Sequence, residues 1–170
     1  MTNTVVTILH EGDAEQYWNL RIEALKEAPD AFLTTYEEAV QRENPVDQTA
    51  ERLSDENNIT FGAFTDEGLV GVTTLQFSDK RKEKHKAFLL AMYVKPQYQN
   101  RGIAKQLIFK AIQTARRQGE VEQIHLSVVS TNNAAIHLYE SIGFKMYATE
   151  PRAIKTDKGY LDEHLMVLSL

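Results

Sequence analysis

The sequence predicts an α/β fold in which helices flank a mixed sheet. Short runs rich in β-branched and aromatic residues recur between turn residues from Val5 to Leu168, as expected for strands. Two longer segments, 14–28 and 102–118, instead repeat apolar residues at helical spacing. The second lies between two apolar strands, and such a connecting helix favours parallel pairing of those strands. The length of 170 residues fits one domain over 1–170.

Composition narrows the functional classes. There are 24 acidic and 19 basic side chains, and the net charge of −5 disfavours nucleic acid as the main partner. The absence of cysteine excludes disulfides, thiolate metal sites and thiol nucleophiles. No apolar run approaches the roughly 20 residues that span a bilayer, and Met1–His10 lacks the features of a secretory signal. We therefore expect a cytoplasmic protein that is not bound to membranes.

The N-terminal part is predicted to contain one strand followed by helices. The β-branched run Val5–Leu9 predicts the strand, and Asp13 can cap a helix that extends to about Ala28, where Pro29 stops it. The side chains expected on the buried face of this helix recur at helical spacing and are Trp18, Ile22 and Leu25. Two short helices are predicted to follow, one around Glu37 and one around Glu51.

The rest of the chain reads mainly as strands. The predicted strands are Ile59–Thr65, Leu69–Phe77, Ala87–Val94, Ile124–Val129, Phe144–Thr149 and Tyr160–Leu168. The clearest helix of the sequence is Gly102–Gln118, and a shorter one is predicted over Asn133–Ser141. The resulting order of elements places the parallel part of the sheet around the long helix.

The turn before the long helix has the features of an anion site. A buried strand ends at Pro96, and Gly102 opens the helix, so successive backbone N–H groups are left unpaired at the positive end of the helix dipole. Gly102 and the small Ala104 allow a phosphate to approach the backbone, and Arg101 and Lys105 add positive charge. Taken alone, the turn is equally compatible with an ordinary strand-to-helix connection.

A second segment carries a candidate catalytic side chain. Asn132–Phe144 runs from a loop through a short helix to Gly143, and Leu138 on this helix can pack inward. Tyr139 lies next to Leu138 around the helix, so its hydroxyl can project towards a neighbouring cleft. Taken alone, a helical tyrosine is more often a core or surface residue than a catalytic one.

Together the two segments resemble the GNAT superfamily, the Gcn5-related N-acetyltransferases. Gln99–Ala104 matches the Gln/Arg-x-x-Gly-x-Gly/Ala pyrophosphate loop of that family, and Asn132–Phe144 matches its second signature. The order of elements fits over essentially the whole chain. The resemblance implies a mostly antiparallel sheet in which a central parallel pair of strands, here Ala87–Val94 and Ile124–Val129, splays apart to admit pantetheine.

The resemblance also implies an acetyl-CoA-dependent transfer to a primary amine of a small molecule or peptide. The residues that would contact CoA are Met92, Tyr93, Val94, Gln99, Asn100, Arg101, Gly102, Ile103, Ala104, Lys105, Asn132, Ala135 and Tyr139. The N–H of Val94 would stabilise the developing oxyanion, and Tyr139 would be the general acid. Many relatives place a glutamate as base on the preceding strand, where this chain has Leu90–Met92.

The general base and the acceptor pocket are less determined. Candidates for the base, by residue type only, are His85, Glu37, Glu38, Glu163 and His164. An aromatic, mildly acidic acceptor site suited to a cation would be lined by Phe32, Tyr36, Glu37 and Tyr160. No spacing of histidines and carboxylates argues for a metal.

Two hypotheses from other classes remain. The first is a non-catalytic acyl-CoA sensor or interaction module on the same fold, which the missing strand glutamate favours and Tyr139 disfavours. The second is a homodimer that pairs through an edge strand formed by the apolar segment His164–Leu170. Dimerisation would not exclude enzyme activity.

Overall fold

The computed structural model describes residues 3–170 and arranges their strands in one seven-stranded sheet. The strands are β1 (Val5–Ile8), β2 (Asn58–Thr65), β3 (Gly68–Phe77), β4 (Lys86–Val94), β5 (Gln123–Val129), β6 (Lys145–Thr156) and β7 (Gly159–Ser169). Their order across the sheet is β1-β2-β3-β4-β5-β7-β6. Neighbouring strands are antiparallel except β4 and β5, which run parallel as predicted.

Five α-helices connect and cover these strands within residues 3–170. They are α1 (Ala14–Glu27), α2 (Tyr36–Val40), α3 (Pro45–Leu53), α4 (Ile103–Arg117) and α5 (Asn133–Ile142). None of the helices in this described part of the chain is both long and apolar enough to cross a membrane. The two short helices predicted around Glu37 and Glu51 are thus confirmed as α2 and α3.

Two buried clusters hold helices on the two faces of the sheet. Helix α4 contributes Leu107 and Ile108, both fully buried, to the larger cluster. Helices α1 and α3 contribute to the other. The successive residues Tyr93 and Val94 of β4 belong to different clusters, as expected because neighbouring side chains of a strand point to opposite faces. Burial of a leucine or isoleucine stabilises the fold by roughly 1.5–3 kcal/mol.

The predicted buried face of α1 is wrong. The residues in contact with the second cluster are Ala14, Tyr17, Leu20 and Ala24, whereas Trp18 and Ile22 are only partly buried. Of the predicted set, Leu25 alone is fully buried. The prediction followed the largest apolar side chains, but the small Ala14 and Ala24 are what allow the helix to approach the sheet closely. The rotation also brings Arg21, one helical turn from Tyr17, towards the interior.

The C-terminal strands differ from the prediction in length and in position. Strand β6 continues past the predicted end at Thr149 to Thr156, with irregular pairing after Glu150 that accommodates Pro151 on an edge strand. Strand β7 lies between β5 and β6 and pairs with both, so it is not an edge strand. The basis for expecting dimerisation through His164–Leu170 is therefore removed, because the ladder groups of β7 are already used.

Candidate active site

Strands β4 and β5 separate partway along their length. Their parallel pairing joins Lys86–Phe88 to Gln123–His125, although β4 continues to Val94 and β5 to Val129. Beyond this point each strand keeps only its antiparallel partner, which is β3 for β4 and β7 for β5. Backbone groups that face the gap are consequently free to bind another molecule in the manner of a strand.

A β-bulge in β4 lies where the gap opens. Two residues of β4, Ala91 and Met92, face the single residue Thr73 of β3. Ala91 adopts a left-handed conformation with φ of 54°, which is unusual for a residue with a side chain. The Thr73 hydroxyl donates a hydrogen bond to the Leu90 carbonyl at 3.1 Å and supports the bulge. Because bulges bend a strand and increase its twist, this one accounts for the departure of β4 from β5.

The end of β4 presents main-chain groups to the gap. The N–H of Lys95 donates to the Val70 carbonyl of β3 at 2.9 Å. Since successive residues of a strand direct their backbone groups to opposite sides, the N–H and C=O of Val94 face the side of β5. The Val94 carbonyl accepts a hydrogen bond from the Gln99 side-chain amide at 3.0 Å. The Val94 N–H, which faces the gap, is available as a donor.

The turn between β4 and α4 leaves several N–H groups without backbone acceptors. Asn100 and Gly102 both have positive φ, 60° and 77°. The first regular helical bond of α4 runs from the Gln106 N–H to the Gly102 carbonyl at 3.1 Å, and within residues 3–170 the N–H groups from Asn100 to Lys105 have no backbone acceptor. The N–H of Gln99, expected to join this set, already donates to the Pro96 carbonyl at 3.2 Å.

The surface above this turn is open and flanked by cations. A Cβ built on Gly102 would meet no atom within 4 Å, so the glycine leaves free space over the backbone. Arg101 lies with its guanidinium carbon 5.2 Å from the ring centre of the buried Tyr98, and the Lys105 ammonium lies 5.7 Å from that of Phe109. Free N–H groups at a helix N-terminus beside two cations form a site suited to phosphate.

A cleft of about 950 Å³ extends from the gap between β4 and β5 to the loop after α1. From the sheet it is lined by Leu89, Leu90, Ala91 and Met92 of β4, by Ser127, Val128 and Val129 of β5, and by Glu163 of β7. From the helical side it is lined by Tyr17, Arg21, Glu27, Ala28, Phe32, Leu33, Asn132, Ala135 and Tyr139, among others. Main-chain donors, a tyrosine and charged groups thus share one cavity.

Tyr139 occupies an apolar position on the wall of the cleft. Its side chain is only 7% exposed, and its ring packs edge-on against Phe144 with 5.8 Å between ring centres. Burial raises the pKa of Tyr139 to about 12, so the hydroxyl is protonated throughout the physiological range. Helix α5 is fixed at its start by Asn132, whose side-chain oxygen accepts a hydrogen bond from the Ala135 N–H at 3.2 Å.

The structure brings only part of the predicted acceptor site into the cleft. Phe32 lines it, whereas Tyr36, Glu37 and Tyr160 are not among its lining residues. The ring of Tyr36 lies under the Lys26 ammonium at 4.7 Å, and Tyr160 lies under the Arg152 guanidinium at 3.8 Å. These aromatic rings therefore already have cationic partners within the chain.

Among the predicted base candidates, Glu163 lines the cleft. Glu38 instead accepts a hydrogen bond from the Thr35 N–H at 2.9 Å and completes the capping box of α2. His164 is bonded through Nδ1 to the Thr149 hydroxyl at 2.8 Å. His85 and Glu37 are not lining residues.

Several charged residues of the cleft were missed by the sequence analysis. Arg21 and Glu27 of α1 and Arg52 of α3 line it, as does Asp30 in the turn after α1. The spacing of Tyr17, Leu20 and Ala24 was the available signal for Arg21, because a residue four positions after Tyr17 lies on the same face of the helix. Nothing in the sequence pattern singles out Arg52.

The two most strongly shifted tyrosines give a measurable pH dependence. Burial raises the pKa of Tyr93 to about 12, with a further contribution from Glu23 and Glu27, and the pKa of Tyr139 is raised to about 12 by burial. The stability that these groups contribute is complete below about pH 10 and should be lost as pH rises towards 12. In an absorbance titration, Tyr93→Phe and Tyr139→Phe should each remove one late-ionising tyrosine. An unchanged late phase in both variants would contradict these environments.

Comparison with known proteins identifies the family. The model of the acetyltransferase (GNAT) family matches residues 22–144, which is most of the chain. The chain belongs to the GNAT acetyltransferase family. Spermidine N(1)-acetyltransferase of Thermoplasma acidophilum is 28% identical over 123 residues, covering 72% of this chain and 73% of the relative. L-amino acid N-acetyltransferase AaaT of Escherichia coli is 28% identical over 117 residues, covering 68% of this chain and 72% of the relative.

A solved structure confirms the GNAT fold class. The structure of yncA from Salmonella typhimurium, determined with its cofactor acetyl-CoA, matches with a TM-score of 0.82 at 18% identity. The match covers 98% of this chain and 94% of that chain. The mostly antiparallel sheet with one diverging parallel pair is thus the arrangement expected of a GNAT acetyltransferase.

Proposed function

We propose that this GNAT protein transfers an acetyl group from acetyl-CoA to a primary amine of a small molecule or peptide, with Tyr139 as the general acid. The observation that carries the proposal is the divergence of β4 from β5 after Phe88, in a cleft that Tyr139 also lines. The divergence exposes unpaired main-chain groups in the cleft whose wall also carries this protonated phenol. The two relatives named above act, by their names, on spermidine and on L-amino acids, so the family alone leaves the acceptor open.

The residues of the chain fit the parts of CoA in separate places. The free N–H groups from Asn100 to Lys105 would hold the pyrophosphate, and the open space over Gly102 would admit it. Main-chain groups of Met92 and the carbonyl of Val94 would bond the pantetheine amides, with Asn132 and Ala135 on the other side of the cleft. Tyr93 contributes backbone only, because its side chain is buried in the second cluster. Gln99 would hold the turn through its bond to Val94.

The proposed transfer needs an electrophile, a hydrogen-bond donor to the oxyanion, a proton donor for the leaving group and a proton acceptor for the amine. Acetyl-CoA supplies the acetyl group as a thioester, from which the acceptor nitrogen displaces the CoA thiolate as a C–N bond forms and the C–S bond breaks. The Val94 N–H is the available donor for the negative charge that develops on the carbonyl oxygen. Tyr139 gives its proton to the departing sulfur, and the amine loses a proton to water or to a carboxylate of the cleft such as Glu163.

The absence of a strong base on β4 gives a prediction for the pH profile. The residues at this part of the strand are Leu90, Ala91 and Met92, none of which can accept a proton. The acceptor amine must therefore react from its neutral fraction, and activity should rise between about pH 7 and 9. The measurement is a pH–rate profile at saturating acetyl-CoA. A plateau already reached near pH 6 would mean that an efficient base is present.

The proposed function is tested by screening amines with acetyl-CoA and reading the release of free CoA. The panel should contain polyamines, amino acids and short peptides, with a no-amine control for hydrolysis. Amine-dependent release, together with the acetylated product by mass spectrometry, is the expected result. Tight acetyl-CoA binding with no turnover for any amine would instead favour the acyl-CoA sensor.

A further inference from the structure

Arg21 is a cation of the cleft wall that forms no ion pair within residues 3–170. It projects from α1, is partly buried, and lines the cleft together with Tyr17 and Phe32. Its guanidinium carbon lies 5.6 Å from the ring centre of Phe32, which holds the side chain against the wall. Its Nε atom is buried and has no hydrogen-bond partner among residues 3–170. The ion pair found in this part of the chain joins Lys95 to Glu23 at 3.5 Å and does not involve Arg21.

Two of the charged groups that act on Arg21 are also positive. Burial lowers the pKa of Arg21, and Arg52 and Arg42 lower it further, while Tyr17 raises it. Arg52 lines the same cleft. The cleft is also lined by the carboxylates of Glu27, Asp30, Asp55 and Glu163, but among the described residues none of them forms an ion pair with Arg21. Among residues 3–170, Arg21 thus has no counter-ion, and it shares with Arg52 a cleft that acidic side chains also line.

Such an arrangement costs free energy unless an anion binds there. A guanidinium that loses part of its hydration without a counter-ion destabilises the fold, and repulsion from neighbouring cations adds to the cost. The phosphates of CoA are not the expected anion, because none of the turn residues Gln99–Lys105 lines the cleft. The remaining candidate is a negative group on the acceptor itself.

The position of Arg21 limits how far this group lies from the reacting amine. Arg21, Ala91 and Tyr93 line one small cavity of about 10 Å³, so Arg21 is next to the bulge of β4. Around them the cleft offers apolar surface, including Leu33, which is 79% exposed, and Leu90, which is 41% exposed. A carboxylate bound by Arg21 and an amine held at β4 therefore belong to a compact molecule with an apolar body.

We infer that the acceptor is an α-amino acid with an apolar side chain, whose carboxylate is bound by the guanidinium of Arg21 with Arg52 nearby. The inference rests on the proposed function for the site of the amine. It replaces the expectation of an acidic, cation-binding pocket built on Tyr36, Glu37 and Tyr160. Arg21 acts here as a specificity residue, because it binds the acceptor at a group that does not react.

The test compares acceptors that differ only in the carboxylate. Phenylalanine, phenylalaninamide and phenethylamine share one apolar body, and kcat/KM for each is measured with wild type and Arg21→Gln. Loss of a charge-assisted contact should lower the preference for phenylalanine over phenethylamine by about 10- to 100-fold, mainly through KM. Arg21→Lys should retain part of the preference, and Arg52→Gln, on an exposed side chain, should lower it less. Arg117→Gln, at the exposed end of α4, is the matched control and should change nothing.

Two further measurements distinguish failure of the proposed function from failure of the inference about Arg21. Calorimetry with CoA should show unchanged CoA affinity in every variant, which establishes that each is folded. Calorimetry with N-acetylphenylalanine, added to the CoA complex, should show weaker binding in Arg21→Gln than in wild type. If no amine is acetylated but this weakening is observed, the proposed function fails and the carboxylate site stands. An equal preference among the three acceptors, unaltered in Arg21→Gln, would overturn the inference.

Discussion

Replacement of Tyr139 by phenylalanine is expected to lower kcat by roughly 10²- to 10⁴-fold, the usual contribution of general acid catalysis. The substitution keeps the ring, so the edge-on contact with Phe144 and the packing of α5 are preserved. Only the proton donor is lost. Because the pKa of Tyr139 is raised to about 12, the hydroxyl is present as a donor at every pH at which the enzyme would work. The measurement is kcat and CoA affinity of the wild type and of Tyr139→Phe.

A matched control for this substitution is Tyr147→Phe. Tyr147 is 55% exposed on the edge strand β6, and its hydroxyl contacts His125 rather than the cleft. The Tyr147→Phe variant should lose neither turnover nor CoA affinity. Full kcat in Tyr139→Phe would show that this tyrosine only fills the core, and a loss of CoA affinity alongside kcat would show a role in binding.

The second large effect is expected from Gly102→Val. A valine side chain would occupy the open space over the turn and obstruct the approach of a phosphate to the free N–H groups. Loss of these charge-assisted hydrogen bonds should weaken CoA binding by at least about 2 kcal/mol, or roughly 30-fold. Calorimetry on the folded variant measures this directly.

Gly119→Val is the matched control, because the two glycines have nearly the same positive φ. Their φ values are 77° and 74°, and a Cβ at either position would meet no atom within 4 Å. Both variants should lose similar stability from the strained conformation. Since Gly119 lies at the opposite end of α4, only Gly102→Val should lose CoA affinity. Equal CoA affinity in the two variants would remove the turn as the phosphate site.

The features predicted well from sequence are those fixed by local signals. The predicted parallel pair, its connecting helix and the start of α4 directly after Gly102 follow from β-branched runs, helical spacing and turn residues that act over a few positions. These elements carry the free N–H groups, and the short helix predicted over Asn133–Ser141 carries Tyr139, so the family signature and its framework could be found before the structure was known. Their individual contacts with CoA remain predictions.

The features that were missed depend on packing between distant segments. Ala14 and Ala24 decide which face of α1 is buried, but small residues give a weak apolar signal, and Arg21 was therefore not identified as a residue of the cleft. The position of β7 between β5 and β6 depends on pairing between segments that are far apart in the sequence, which local patterns do not reveal. The bulge at Ala91 places a left-handed residue in an apolar run, where no glycine marks it.

The proposed function depends on where CoA binds, and a crystal structure of the protein grown with CoA tests this most directly. We expect electron density for the pyrophosphate within hydrogen-bond distance of the N–H groups between Asn100 and Lys105, and for pantetheine in the gap between β4 and β5 with its sulfur facing Tyr139. Density for CoA elsewhere on the protein, with the gap between β4 and β5 empty, would contradict the proposed site and mechanism.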